Sequence, residues 1–270
     1  MLDITRDMVP LRSKFEADGY VKLDALLSVD TVVALRTATT NRLRARRQTQ
    51  AVRGVSLTAK PFLQTFNAWF DEPTVRDFVL AEELGAMMSV ILNVPGVQLI
   101  HDQVLFKEPG DQRTLWHVDQ TYWPVGNAPA CTLWVPLHDI SDDMGPVACA
   151  LGSHARWRLP EPSNEALDLE EWDRRLATML QAEDLDESTC SYKCGDVEIH
   201  DGRTVHSAGP NLSSQCRKVL VAHYVDASAI VQEPRTPEQQ EHMRLFGWEG
   251  VAFGATLPES VAPRVGATCQ

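Results

Sequence analysis

From Val97 onward the chain is built of short apolar runs, each closed by Gly, Pro, Asp or Asn, and this texture limits what it can fold into. The runs are Val97–Ile100, Gln103–Lys107, Cys131–Leu137, Val147–Leu151, Asp196–His200 and Lys218–Val225. Each suits a strand and is too short for an ordinary helix. Several such strands separated by turn residues form a sandwich or barrel. The expected fold class is mainly β with flanking helices.

The flanks read differently. Leu11 to Asp18 is helical in pattern, Tyr20 to Leu23 alternates like a strand, and a second helix follows Ser28, a suitable N-cap. Arg42, Arg44, Arg46 and Arg47 read as a solvated face near the end of that helix, favoured by the helix dipole. Pro73 to Leu92 is expected as one helix, since Pro is tolerated in a first turn. The acidic stretch Glu161 to Glu187 interrupts the strands and reads as a surface helix or lid. Pro237 to Phe246 reads as a helix in the tail. The expected organisation is one domain over 1–270: a helical part to about residue 95, a β core over about 97–232, and a helical tail over 233–270.

Composition narrows the partners. The 270 residues are 44% hydrophobic and 23% charged, enough for one sizeable core. The formal net charge of −12 repels phosphate backbones, so no nucleic acid is expected, and it weighs against a coenzyme A ester unless a local basic pocket intervenes. No secretory signal and no apolar run of membrane-spanning length stand in the sequence, so a cytoplasmic protein without membrane contact is expected. Cys131, Cys149, Cys190, Cys194, Cys216 and Cys269 form no CxxC pair, which fits a reducing compartment. The oligomeric state is open between monomer and homodimer.

The chemistry centres on Trp116-His117-Val118-Asp119-Gln120. Residues two apart on a strand point to one side, so His117 and Asp119 can aim at one point. An imidazole and a carboxylate so placed are two members of a facial triad for non-haem iron. His206 is the best third ligand, with His200 beside Asp201 as the alternative. HxD alone is a weak signal. Arg217 strengthens it: it follows His206 by eleven residues and opens the apolar run Val219-Leu-Val-Ala. A guanidinium in such a strand is costly unless paired, and its planar fork suits a carboxylate.

These residues, with Phe15-Glu-Ala-Asp-Gly19, Phe106-Lys-Glu-Pro-Gly110, Trp134-Val-Pro-Leu, Gly145-Pro146, Gly152-Ser153-His154, Gly195-Asp196 and Asn211, resemble the phytanoyl-CoA dioxygenase (PhyH-like) family over nearly the whole length. The resemblance implies a double-stranded β-helix (jelly roll, cupin-like) and a 2-oxoglutarate-dependent oxygenase that uses Fe(II) and O2. It implies that His117, Asp119 and His206 bind the iron and that Arg217 holds the distal carboxylate of 2-oxoglutarate. By motif position, Trp134, Ser153 and Thr114 are expected in the cosubstrate pocket, with Gln103 as a further candidate. Two positions depart from the common pattern: Val118 stands where many members have Gln, and Ala208 where some have a hydroxyl.

The implied reaction is hydroxylation or another oxidative tailoring step on a small organic molecule of secondary metabolism. A fatty-acyl derivative is an alternative substrate. A cupin-type metal enzyme that does not use 2-oxoglutarate is an alternative class, and a non-catalytic binding protein a third. Tyr122 and Trp123 follow the ligand motif closely, and one of them is expected to line the substrate pocket.

Overall fold

The structure, a computed structural model, describes residues 8–49, 63–156, 158, 163 and 165–266. Strands β1 (Tyr20–Leu23), β2 (Leu63–Phe66), β3 (Val97–Lys107), β4 (Thr114–His117), β5 (Ala130–Pro136), β6 (Val147–Ala150), β7 (Glu187–Thr189), β8 (Val197–Asp201), β9 (His206–Ala208), β10 (Arg217–Asp226) and β11 (Arg264–Val265) make two antiparallel sheets. The seven-stranded sheet runs β1-β8-β5-β10-β3-β11, with β2 also on β3. The four-stranded sheet runs β4-β9-β6-β7. Each apolar run of the sequence lies in a strand, and this mainly β, antiparallel architecture is that of the jelly roll.

Alternation explains how the large sheet serves two masters. One set of side chains, Phe106, Leu133, Ile199, Leu220, Ala222 and Tyr224, belongs to the core shared with helices α1 (Met8–Asp18), α2 (Val29–Thr49), α3 (Pro73–Val79) and α4 (Glu82–Leu92). The intervening set faces the smaller sheet and carries the polar groups, because successive residues of a strand point to opposite faces. Register aligns these across the strands. His101 sits opposite His223, His223 opposite Thr132, and Thr132 opposite His200. In the next row, Gln103 opposes Val221, Val221 opposes Trp134, and Trp134 opposes Glu198.

The expected single helix over Pro73 to Leu92 is two helices, broken at Leu80-Ala81, where Ala81 is extended with ψ 134°. Val75, Phe78 and Val79 form the buried face of α3, and helical continuation would bring Glu82 and Glu83 onto it. The restart puts those acids in the first turn of α4, where the helix dipole favours them. The stretch expected as surface helix or lid contains α5 (Leu169–Ala182). It is tied to the smaller sheet: Asp173 accepts a hydrogen bond from the backbone N–H of Trp116 at 2.8 Å and pairs with Arg113. The tail helix is α6 (Pro237–Leu245), capped by Thr236.

Gly19 needs its glycine. Its φ is +67°, and a Cβ there would lie 2.4 Å from His154 Nδ1 and 2.5 Å from Thr204 Oγ1. This close approach lets the Thr204 hydroxyl donate to the Gly19 carbonyl, which fixes the turn before His206. The five described cysteines are free thiols, Cys131 and Cys149 buried and Cys190, Cys194 and Cys216 half-buried. Among the described residues no helix is long and apolar enough to cross a membrane.

The arginine cluster needs a correction. Arg42 is only 7% exposed, so it is not part of a solvated face. It donates to Asp71 at 2.7 Å, to Thr65 Oγ1, and to the carbonyls of Phe66 and Asn67 at 3.2 Å. The Arg46 and Arg47 side chains lie outside the described residues. Arg42 therefore clamps α2 onto β2 and the turn after it. Truncation strands two carbonyls and a hydroxyl without their donor, so Arg42→Ala should cost ~2–3 kcal/mol in urea unfolding. A loss within experimental error would refute this role.

Candidate metal centre

His117 and His206 are a cross-strand pair of β4 and β9, which sets their rings 4.1 Å apart between centroids. β4 ends at His117. Val118 stays extended (φ −133°, ψ 121°), and Asp119 opens a 3-10 turn, so Asp119 still comes to the same side although it is off the ladder. Nε2 of His117 and Nε2 of His206 each lie 3.7 Å from Asp119 Oδ1. The three ligand atoms fall within 4.8 Å of one another, a spacing that lets one ion sit among them.

The backbone prepares both rings. Nδ1 of His117 lies 2.8 Å from the Leu115 carbonyl, and Nδ1 of His206 lies 3.0 Å from that of Thr204. A carbonyl can only accept, so each Nδ1 carries the proton and each Nε2 presents its lone pair. Burial pushes the pKa of both rings down, which keeps them neutral and able to ligate. For Asp119 burial acts in the opposite sense, but the surrounding His206, His200, His223 and His117 outweigh it and hold the carboxyl well below its usual range.

The second oxygen of Asp119 is engaged elsewhere. Thr132 Oγ1 donates to Oδ2 at 2.5 Å, His200 Nε2 lies at 3.4 Å and His223 Nδ1 at 3.6 Å. Behind His200, its Nδ1 lies 2.7 Å from Oε1 of Glu198, a fully buried residue. Tyr192 donates to the other Glu198 oxygen at 2.9 Å, and the Cys149 thiol donates to Oε1 at 3.2 Å. Burial opposes protonation of His200, but Cys149, Asp119 and Glu198 prevail and raise its pKa well above the usual value. Cys149, Glu198 and His200 have ligand spacing of their own. Their polar atoms are bound to one another and to Tyr192, so the cluster reads as a support running to Asp119. His200 thus stands behind Asp119, on the Oδ2 side, while His206 faces Oδ1.

A cavity of about 100 Å³ lies between the sheets on one side of the triad, lined among others by His117, Asp119, His206, Thr114, Trp134 and Arg217. Gln103 lines it too. Arg217 is 2% exposed, its guanidinium 5.9 Å from the Trp134 ring centroid. It donates to the Gly145 carbonyl, its Nε has no partner, and no carboxylate among the described residues pairs with it. Burial lowers its pKa to about 10, yet it stays cationic at neutral pH. Gly145 has φ +68°, and a Cβ there would meet the Gly209 carbonyl at 2.1 Å, so the loop can reach Arg217 only as glycine. A buried guanidinium with an unpartnered nitrogen in a small, enclosed cavity fits one end of a dicarboxylate. Beside it Lys107, paired with Arg217 in the ladder, donates to the carbonyls of Ala208 and Gly209, and burial lowers its pKa to about 6.

Ser153 is the candidate that geometry moves. It lines neither this cavity nor the larger one described below. Its hydroxyl donates to the Ala150 carbonyl at 2.7 Å and accepts from the Val205 N–H at 2.9 Å. It splints the chain next to His206, and the Gly152-Ser153-His154 turn is architecture. Thr132, Glu198 and Lys107 were not singled out as functional from the sequence, and His223 reads there as structural. Their signal is present: each is a polar residue at the alternate positions of an apolar strand.

A second cavity, of about 340 Å³, opens on the other side of His117 and Asp119. Tyr122 and Trp123 both line it, as expected for at least one of them.

An antiparallel β fold with His, Asp and His converging between its sheets defines a metal-dependent protein of the cupin-like kind. The chain belongs to the phytanoyl-CoA dioxygenase (PhyH) family, whose model matches residues 15–219. Among solved structures it is similar to the non-heme alpha-ketoglutarate-dependent carbocyclase SnoK from nogalamycin biosynthesis, at 23% identity over 98% of both chains (TM-score 0.77). It is also similar to the epimerase SnoN of the same biosynthesis, at 25% identity over 95% of this chain and 97% of that one (TM-score 0.73). A further structure of SnoN holds Fe3+, alpha ketoglutarate and nogalamycin RO. A curated relative from Stutzerimonas stutzeri, named "Probable alpha-ketoglutarate-dependent hypophosphite dioxygenase", is 26% identical over 168 residues. Those residues are 60% of this chain and 55% of the relative, so the match spans about half the relative's length.

Because Glu198 orients His200, and His200 braces Asp119, Glu198→Gln should weaken Fe(II) binding about tenfold in anaerobic chelator competition. The unfolding midpoint, measured beside it, separates this from a loss of fold. Unaltered iron affinity in the folded variant would contradict the support.

Proposed function

We propose that the chain is an Fe(II)- and 2-oxoglutarate-dependent oxygenase, with His117, Asp119 and His206 as iron ligands and Arg217 as the anchor of the 2-oxoglutarate distal carboxylate. The observation that carries the reading is Arg217: a buried cation without a carboxylate partner among the described residues, in the same cavity as the three converging ligands. Family membership and the SnoK and SnoN structures support it. When bound, iron and 2-oxoglutarate supply the oxidising power, consuming O2 and releasing succinate and carbon dioxide.

The protein contributes position and exclusion. His117 and His206 would hold the iron through Nε2 and Asp119 through Oδ1, while Thr132 and His200 hold Oδ2. Trp134 walls the 2-oxoglutarate site beneath Arg217, and Thr114 and Gln103 complete its lining. The burial of His117, His206, Trp134 and Arg217 keeps bulk water from the reacting centre. The substrate is a small organic molecule entering from the larger cavity, and the reaction an oxidative tailoring step of secondary metabolism, as with the enzymes of nogalamycin biosynthesis. Hydroxylation is the default outcome; epimerisation and ring closure begin from the same hydrogen-atom removal. Unpaired thiols suit a cytoplasmic setting.

Succinate formation from 2-oxoglutarate under air tests the assignment. Arg217→Ala should raise the KM for 2-oxoglutarate ~100-fold, as expected for loss of a buried charge partner. A cupin-type enzyme independent of 2-oxoglutarate would form no succinate, and an unchanged KM in Arg217→Ala would sink the anchor assignment.

A further inference from the structure

The larger cavity has a distinctive chemistry. Its walls are rings: Phe66, Tyr122, Trp123, His101, His242 and Phe246. They hold each other in place, His101 stacking on Phe246 at 4.2 Å between centroids and 11° between planes, and His242 lying 4.3 Å from Phe246. Within this apolar wall, buried polar atoms lack partners among the described residues: Nδ1 of His101, Nε2 of His242 and the hydroxyl of Tyr122. His101 is 4% and His242 5% exposed. Unpaired buried donors and acceptors are costly and rare in native proteins, and a ligand is one way to satisfy them.

Charge is the second observation. Among the described lining residues none is Lys or Arg, while Glu238 and Glu241 stand on α6 and Asp119 at the base. Glu238 accepts from the Leu167 N–H at 2.6 Å and Glu241 pairs with Arg244 outside the lining. A phosphate or a coenzyme A tail would pass Glu238 and Glu241 and find no Lys or Arg among the described lining residues. Like charges brought together repel, which disfavours an anion there. The histidines offer no compensation, since burial lowers the pKa of His242 to about 3 and that of His101 well below its usual value.

We propose that this cavity takes a flat, uncharged ring system bearing hydroxyl or carbonyl oxygens, and that it excludes phosphate-bearing substrates such as acyl-coenzyme A esters. Ring faces stack on the aromatic wall, and the oxygens pair with His242, His101 and Tyr122. The inference rests on the oxygenase reading only in that the cavity opens on His117 and Asp119. It sets this chain apart from the activities printed in the names of its family and its curated relative, whose substrates carry phosphorus.

A matched pair of probes tests it on the metal-free protein: 2-naphthol and 2-naphthyl phosphate, by isothermal titration calorimetry. The naphthol should bind at least roughly tenfold more tightly, as expected for a site that rejects a desolvated dianion. His242→Phe preserves the ring and should weaken naphthol about fivefold, the worth of one hydrogen bond; Tyr122→Phe serves if that variant does not fold. Glu241→Lys should narrow the gap by improving phosphate binding. Equal or tighter binding of the phosphate, no naphthol binding, or naphthol affinity untouched in the phenylalanine variant overturns the assignment. The measurement needs neither iron nor 2-oxoglutarate, so a failed oxygenase assay and a failed pocket are separate results.

Discussion

A carboxylate buried between two sheets must be compensated, and the compensation of Asp119 organises this molecule. Its Oδ1 faces His117 and His206, and its Oδ2 faces Thr132, His200 and His223. Left alone, burial would favour a protonated, neutral acid, which is a poor metal ligand. The Thr132 hydroxyl and His200, whose pKa is raised, keep it ionised and fix which oxygen is free. Glu198, Tyr192 and Cys149 extend the same logic outward, giving His200 a settled orientation. Thr132, His200 and His223 come from one row of the large sheet, while His117 and His206 are paired across the smaller one, so the geometry around Asp119 follows from strand register in both sheets.

The same register divides the interior into two chambers. Gln103, His223, His117 and Asp119 line both. On one side the chamber is small and contains the isolated guanidinium of Arg217; on the other it is larger, aromatic and acidic. In the proposed reading the two take opposite ligands: a dianionic cosubstrate at one and an uncharged ring-bearing molecule at the other. Helix α6 supplies Glu238, Glu241 and His242 to the second chamber, and α5 anchors the strand that carries His117.

Much of this was legible in the sequence, because it is local. Strand runs follow from alternation and turn residues, and HxD with His206 and Arg217 follows from chemistry and motif. What escaped is non-local. The break between α3 and α4 appears only when the buried face is known. Arg42 reads as a solvated residue until β2 and the chain after it fold over its guanidinium. Ser153 sits in a motif beside the ligands, yet its hydroxyl joins two backbone segments. The rows from His101 to His200 depend on register across strands far apart in the chain, which no single segment encodes.

The central claim is that three side chains hold one ferrous ion next to a site for a keto-diacid. Anaerobic titration of metal-free protein, first with Fe(II) and then with 2-oxoglutarate, addresses it directly. One equivalent of iron should bind, and the keto-acid should then produce a weak visible charge-transfer band. Folded protein that binds no iron, or that binds iron and gives no band with 2-oxoglutarate, would contradict the account.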